Sequence, residues 1–246
     1  MKAILTPVQF VEKIYLKRDD LFEIYGATGG KARTCHYLAK QAKIGLVTAG
    51  SRQSPQVALV AKIAKGLNLP CSVHTPSGDI TTGPVSEAVR FGADVFQHKP
   101  GYNSVIIARA REYAEKYKFT HIPFGMTCNE AVEQTRKQVS NIPQDILKIV
   151  APVGSGMTLA GILWGLIDIK RKIKVTGVMV GAVPQKRLDL FAPPLWRTMV
   201  TLIKSDVPYE KHIIGKIGDV SLDPVYEAKC LPYLSSGNLF WIVGHR

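Results

Sequence analysis

The sequence predicts an α/β protein built on an open, mostly parallel sheet flanked by helices. Three observations predict it. Short apolar runs of strand character alternate with stretches of helical length along most of the 246 residues, as strand–helix–strand units require. One strongly apolar run, 146–152, leads straight into Gly154-Ser155-Gly156 and then a helical stretch. The balance of 46% hydrophobic and 21% charged residues is ordinary for a globular chain of a length that can bury a sizeable core.

The elements follow in order. Residues 32–42 read as a helix opened by Lys31 after a run of glycines. Residues 44–49 form a buried strand, and 55–67 a helix with Val57, Ala58, Val60, Ala61 and Ala64 on one face. Residues 71–74 make a short strand and 85–91 a helix; 93–96 make a strand and 104–116 a helix. A strand at 119–122 and a helix over 129–138 close this run. Strand 146–152, helix 158–169 and strand 175–183 follow, whereas 184–217 has no clear periodicity. If the chain forms two lobes, residues 43–142 make a smaller α/β lobe inserted between 1–42 and 143–246 of a larger one.

Several function classes find no support. No stretch approaches the ~20 apolar residues of a membrane span, and no apolar segment ending in small residues marks a signal peptide. A cytoplasmic location without membrane attachment is the expectation. Cys35, Cys71, Cys128 and Cys230 lie far apart, and the six histidines lack ligand spacing. Four thiols and no metal are therefore expected. The net charge is the anomaly: 32 Lys and Arg against 19 Asp and Glu give +13. Such an excess favours polyanionic partners, nucleic acid above all; the alternative is a role in solubility. Lys170, Arg171 and Lys172 form the densest basic run, which is equally readable as a solvated face.

Three segments carry chemistry. Lys17-Arg18-Asp19-Asp20 precedes Gly29-Gly30-Lys31-Ala32-Arg33, where glycines allow close backbone approach and Lys31 could serve as a nucleophilic amine, or be a surface lysine after a turn. Gly154, Ser155, Gly156, Met157 and Thr158 sit between a strand and a helix. Their amides and hydroxyls suit a phosphate, although the same residues could be an ordinary tight turn. The loop is neither G-x-x-x-x-G-K-[ST] nor G-x-G-x-x-G, so it is not read as a nucleoside triphosphate or dinucleotide site. In Asp223-Pro224-Val225-Tyr226-Glu227, Glu227 could hold a ring nitrogen protonated and Tyr226 could exchange a proton with a substrate carbon. Glu227 also reads simply as an acid favoured at a helix N-terminus.

In this order the segments resemble the tryptophan-synthase-β-like, or fold type II, class of pyridoxal phosphate enzymes. The chain is most similar to the branch of aminocyclopropane-carboxylate deaminase and D-cysteine desulfhydrase. That branch's K-R-D-D-L, G-G-N-K-x-R-K-L and D-P-V-Y-x-G-K correspond to Lys17 to Leu21, Gly29 to Arg33 and Asp223 to Lys229. Its I-P-x-G and closing apolar strand correspond to Ile122 to Gly125 and Leu239 to Gly244. The resemblance implies two α/β lobes, pyridoxal 5'-phosphate as cofactor and a homodimer. It implies Lys31 as the Schiff-base lysine, Gly154 to Thr158 as the phosphate loop, Glu227 at the pyridine nitrogen and Tyr226 facing substrate.

Departures from the family pattern shape the functional expectation. The family's S-x-N-H segment, whose asparagine holds the ring hydroxyl, is replaced by Ser51-Arg52-Gln53-Ser54-Pro55-Gln56. Ser51 keeps its place as a catalytic residue, and Gln53 or Arg52 must stand in for the asparagine. Arg52, Ser54 and Gln56 are expected toward substrate, and Lys170, Arg171 and Lys172 toward nucleic acid. The leading expectation is a lyase acting at the α-carbon of an amino-acid group. Phage-encoded relatives of this fold act on amino acids attached to thymine in DNA, and the basic charge favours decarboxylation of such a DNA-linked substrate. The alternatives are a deaminase or desulfhydrase of a small free amino acid, and a catalytically dead, basic nucleic-acid-binding protein.

Overall fold

A computed structural model describes residues 4–181 and 183–244. The chain forms two compact units, one made of residues up to 22 together with those from 128 onward, the other of residues 23–127. It begins in the first unit with the strands β1 (Val8–Val11) and β2 (Ile14–Arg18). The second unit contains β3 (Glu23–Ile24), β4 (Ala27–Thr28), α1 (Gly29–Ala39), β5 (Leu46–Ala49), α2 (Pro55–Gly66) and β6 (Cys71–Pro76). It continues through α3 (Gly83–Arg90), β7 (Ala93–His98), α4 (Asn103–Tyr117) and β8 (Thr120–Ile122). Back in the first unit come α5 (Asn129–Arg136), β9 (Lys148–Val153), α6 (Met157–Asp168), β10 (Lys174–Met179), α7 (Gln185–Phe191) and α8 (Trp196–Met199). The strands β11 (Val200–Lys204), β12 (Lys216–Ile217), β13 (Val220–Ser221) and β14 (Leu239–Ile242) complete it.

The first unit's sheet has the order β1-β2-β14-β9-β10-β11, parallel except for the β1–β2 hairpin. The second unit's sheet, β7-β6-β5-β8, is wholly parallel. The α/β expectation therefore holds, and the expected elements recur within a few residues. Strands that are apolar on both faces are the reason. All of β14 and all but the first residue of β9 are buried, as parallel strands covered by helices must be. The strand expected over 175–183 ends at Met179, and its far end includes residue 182, outside the described residues.

The unit boundaries differ from the expected 1–42 and 143–246 against 43–142. Helix α1 packs on α2 and β8 and so goes with the second unit, while α5 packs along α6 and goes with the first. The α5–α6 contact depends on two glycines. A Cβ at Gly161 would lie 2.5 Å from Thr135 Cβ, and one at Gly165 would lie 2.7 Å from the Arg136 carbonyl oxygen.

The Lys17-to-Asp20 motif is part of this scaffold. Fully buried Lys17 donates from Nζ to the Thr6 carbonyl and to Asn141 Oδ1, both at 2.7 Å. Asp19, equally buried, accepts from the Thr6 hydroxyl at 2.7 Å and from the Trp241 indole at 3.1 Å. Buried charges persist only when hydrogen-bonded in this way. Here they tie the chain's first segment to the final strand β14. Arg18 and Asp20, whose side chains are mostly buried, form a fork-like ion pair at 2.7 Å.

Candidate cofactor site

Three neighbouring parallel strands of the first unit end together. β9 runs out at Val153 into Gly154, β10 at Met179 toward Gly181, and β14 at Ile242 into Val243-Gly244. The carboxyl edge of such a sheet is where α/β folds place ligands. At this edge Gly156 takes φ +91° and ψ −7°, a left-handed conformation open to glycine, and caps α6. Glycine has no side-chain oxygen to satisfy the amides of the helix's first turn. Those amides, with the half-buried Ser155 and Thr158, form a donor set suited to a dianion.

The third predicted segment meets this loop within the same unit. The space a Cβ on Gly154 would occupy lies 3.0 Å from Tyr226 Cε1 and 3.2 Å from its hydroxyl oxygen. A Cβ at 154 would press on the phenol and oblige it to move by a few tenths of an ångström. The ring of Tyr226 stands edge-on to Tyr209 at 5.9 Å, and Tyr209 in turn closes over Gly181. The expected helix start at Tyr226-Glu227 is instead a turn followed by a 3-10 helix, Ala228–Tyr233.

Glu227 is completely buried. Its Oε1 accepts from the amides of Val243 at 2.8 Å and Gly244 at 3.0 Å, and its Oε2 from the amide of Asp223 at 2.9 Å. Burial raises its pKa above the usual carboxylate value, and the three amides act in the opposite sense. Glu227 is thus more than a helix-dipole acid. It fastens the 223–227 turn to the end of β14, and Oε2, with one amide partner, keeps a further acceptor position.

In the second unit Lys31 is the third residue of α1, exposed, after Gly29 at φ +87°. Helix α1 packs on β8 and on the 124–126 turn. Ser51 and Gln53 are exposed, and half-buried Ser54 precedes α2 with its amide on the Ser51 carbonyl at 2.9 Å. The Arg52 guanidinium packs so tightly on Gly78 that a Cβ there would be 2.5 Å from its Cζ. Hydroxyl and amide bonds from Thr81, a bond from the Thr82 hydroxyl and then the charge of Arg52 hold the Asp79 carboxyl below the usual range. Arg52 is therefore engaged with the 78–79 loop of its own unit.

Two expected contact residues have other duties. Gln56, expected toward substrate, is a buried brace: Nε2 donates to Thr48 Oγ1 at 3.0 Å and to the Pro123 carbonyl at 2.9 Å, and Oε1 accepts from the Gly125 amide at 2.9 Å. Both amide hydrogens are used. Arg171, expected toward nucleic acid, donates to the carbonyls of Pro143, Gln144 and Ile146 at 2.9 Å each and of Ile142 at 3.3 Å, clamping the segment before β9. Lys170 and Lys172 are exposed. Among the described residues no three His, Cys, Asp or Glu side chains gather as a metal site, no helix is long and apolar enough to cross a membrane, and all four cysteines are thiols.

Sequence reasoning missed Tyr209 and Arg187, which face Tyr226 and Ser155 respectively. Both lie in 184–217, where α7 has only 7 residues, too few for a helical period to show.

The donor set at α6, the glycine left free of a Cβ at 154 and the buried carboxylate of Glu227 all fit pyridoxal phosphate. The family comparison agrees: residues 5–224 match the model described as "Pyridoxal-phosphate dependent enzyme". A "Putative 1-aminocyclopropane-1-carboxylate deaminase" of Thermotoga maritima is 28% identical, over 91% of this chain and 86% of that protein. The crystal structure of an ACC deaminase homologue superposes with a TM-score of 0.81 at 23% identity, covering 99% of this chain and 90% of that one. Threonine deaminase isoform 2 from Solanum lycopersicum gives 0.67 at 19% identity, covering 98% and 79%. At these identities the solved structures speak for the fold. The chain belongs to the pyridoxal-phosphate dependent enzyme family, with pyridoxal 5'-phosphate as its cofactor.

Proposed function

We propose that this enzyme is a lyase that releases ammonia from a small free amino acid. Lys31 would supply the amine that attaches the cofactor, the Gly154-to-Thr158 loop would hold its phosphate, and Glu227 would pair with its ring nitrogen. Bound there, pyridoxal phosphate supplies an electron sink for charge developing at the amino acid's α-carbon. Tyr226 takes or returns a proton at its hydroxyl oxygen. Ser51 and Gln53, both exposed on the loop after β5, would contact substrate or the cofactor's ring hydroxyl.

The observation that supports this reading most is the Tyr226 hydroxyl beside Gly154, 3.2 Å from where a Cβ would stand. A phenol this near the loop proposed for the phosphate is what a proton-transfer role for Tyr226 requires. The choice of deamination leans on the Thermotoga maritima relative, whose name is that of a deaminase. A DNA-linked amino acid keeps in its favour the net charge of +13 and the exposed Lys170 and Lys172, while Arg171 is spent on backbone carbonyls. The free amino acid is therefore placed first.

The test is a panel of free amino acids, including 1-aminocyclopropane-1-carboxylate, D-cysteine, L-serine and L-threonine, assayed for ammonia and 2-oxo acid. Ammonia release that falls about 100-fold or more in Tyr226→Phe, mainly in kcat, is expected of a lost acid–base group. Carbon dioxide without ammonia, from a free or a DNA-linked amino acid, would overturn the deaminase assignment in favour of decarboxylation.

A further inference from the structure

We infer that Arg187 is a positioning residue for the phosphate loop, fixing the direction in which the Gly156 amide points. This rests on the assignment of that loop to the cofactor's phosphate. Arg187 Nε donates to the Ser155 carbonyl at 2.7 Å, a short charge-assisted bond. Among the described residues every peptide bond is trans. In a trans peptide the carbonyl and the following N–H point in opposite directions. Holding the Ser155 oxygen toward Arg187 therefore turns the Gly156 N–H the other way.

That orientation needs holding. Gly156 sits at φ +91°. Glycine occupies either sign of φ at similar cost, so the 155–156 peptide plane is free to flip between two turn types unless something selects one. A flipped plane would present a carbonyl where an anion needs an amide. Helix α7 supplies both parts of the restraint. Pro184, its cap, and Leu188 each lie 3.3 Å from the position of a Gly156 Cβ and wall that side. Arg187, next to Leu188 and half-buried, latches the carbonyl. Because the guanidinium lies on the carbonyl side of the peptide plane, it works through the backbone and not by touching the phosphate.

Pyridoxal, which lacks the phosphate, separates this role from general stability. The dissociation constants of pyridoxal phosphate and pyridoxal are measured by absorbance titration for the wild type, Arg187→Met and Arg187→Gln. Circular dichroism and the urea midpoint establish that each variant is folded. Arg187→Met is expected to weaken pyridoxal phosphate about ten- to hundredfold, the range of one charge-assisted hydrogen bond, while pyridoxal changes less than about twofold. Arg187→Gln, which keeps an N–H donor without the charge, recovers most of the loss. Equal weakening of both ligands, no weakening, or Arg187→Gln failing as badly as Arg187→Met overturns the positioning role. A wild type that does not prefer pyridoxal phosphate to pyridoxal removes the loop assignment itself, a separate and recognisable failure.

Discussion

Glu227 caps the amide of Asp223, and the Asp223 side chain caps the two residues that precede Glu227. The amide of Asp223 donates to Glu227 Oε2 at 2.9 Å, while Asp223 Oδ1 accepts from the amides of Val225 at 3.0 Å and Tyr226 at 2.7 Å. The arrangement resembles a capping box in which the acid lies one residue further on. It fixes the backbone that presents the Tyr226 phenol to Gly154.

Glu227→Ala would leave three backbone amides (those of Asp223, Val243 and Gly244) without their acceptor in the interior. At about 1–3 kcal/mol for each such group, a loss of at least about 3 kcal/mol is expected. Urea unfolding of the cofactor-free protein measures it. Glu227→Gln keeps an acceptor oxygen and should lose less. Unchanged stability in Glu227→Ala would leave the carboxylate a role toward the cofactor alone.

Gln56 distinguishes a brace from a substrate contact. Gln56→Leu preserves volume but removes the bonds to Thr48, Pro123 and Gly125. A destabilisation of about 2–4 kcal/mol is expected, since buried polar partners are left unmet. Full stability with a raised KM would instead make Gln56 a substrate contact.

Acid should weaken the second unit through its histidines. His74 is buried, its Nδ1 2.8 Å from His98 Nε2, and the rings stack at 5.0 Å. Burial first, then the neighbouring His98 and His121, lowers the His74 pKa from its ordinary 6.5 to about 4. Between those values the unfolded chain binds a proton that the folded chain refuses. The stabilising contribution is thus whole above pH 6.5, declines as pH falls below it, and is exhausted near pH 4. About 3 kcal/mol is at stake over the whole interval. Urea unfolding at pH 7, 6 and 5 should show the decline, and His74→Leu should show a flatter profile. Parallel profiles for the two proteins would contradict the assignment.

The parts legible in the sequence were those with strong local patterns. The strands β5, β9 and β10 are short, largely apolar runs, and the helices α2, α4 and α6 have a clear period or a following turn, so their existence and type could be read directly. The β1–β2 hairpin escaped because its turn is Glu12-Lys13 at φ +48° and +65°, where asparagine or glycine would have been the signal. The meeting of Gly154 with Tyr226 was expected only through family resemblance, since contacts across some seventy residues leave no local trace. The duties of Gln56 and Arg171 were invisible for a different reason. A polar side chain facing backbone carbonyls reads in sequence like one facing a ligand, and only burial and partners separate the two.

The most direct measurement is to incubate the purified chain with pyridoxal phosphate, reduce it with borohydride and map the modified peptide by mass. A single phosphopyridoxyl group on Lys31, absent in Lys31→Ala, is the expected result. Modification of a different lysine, or none at saturating cofactor, would contradict the site proposed here.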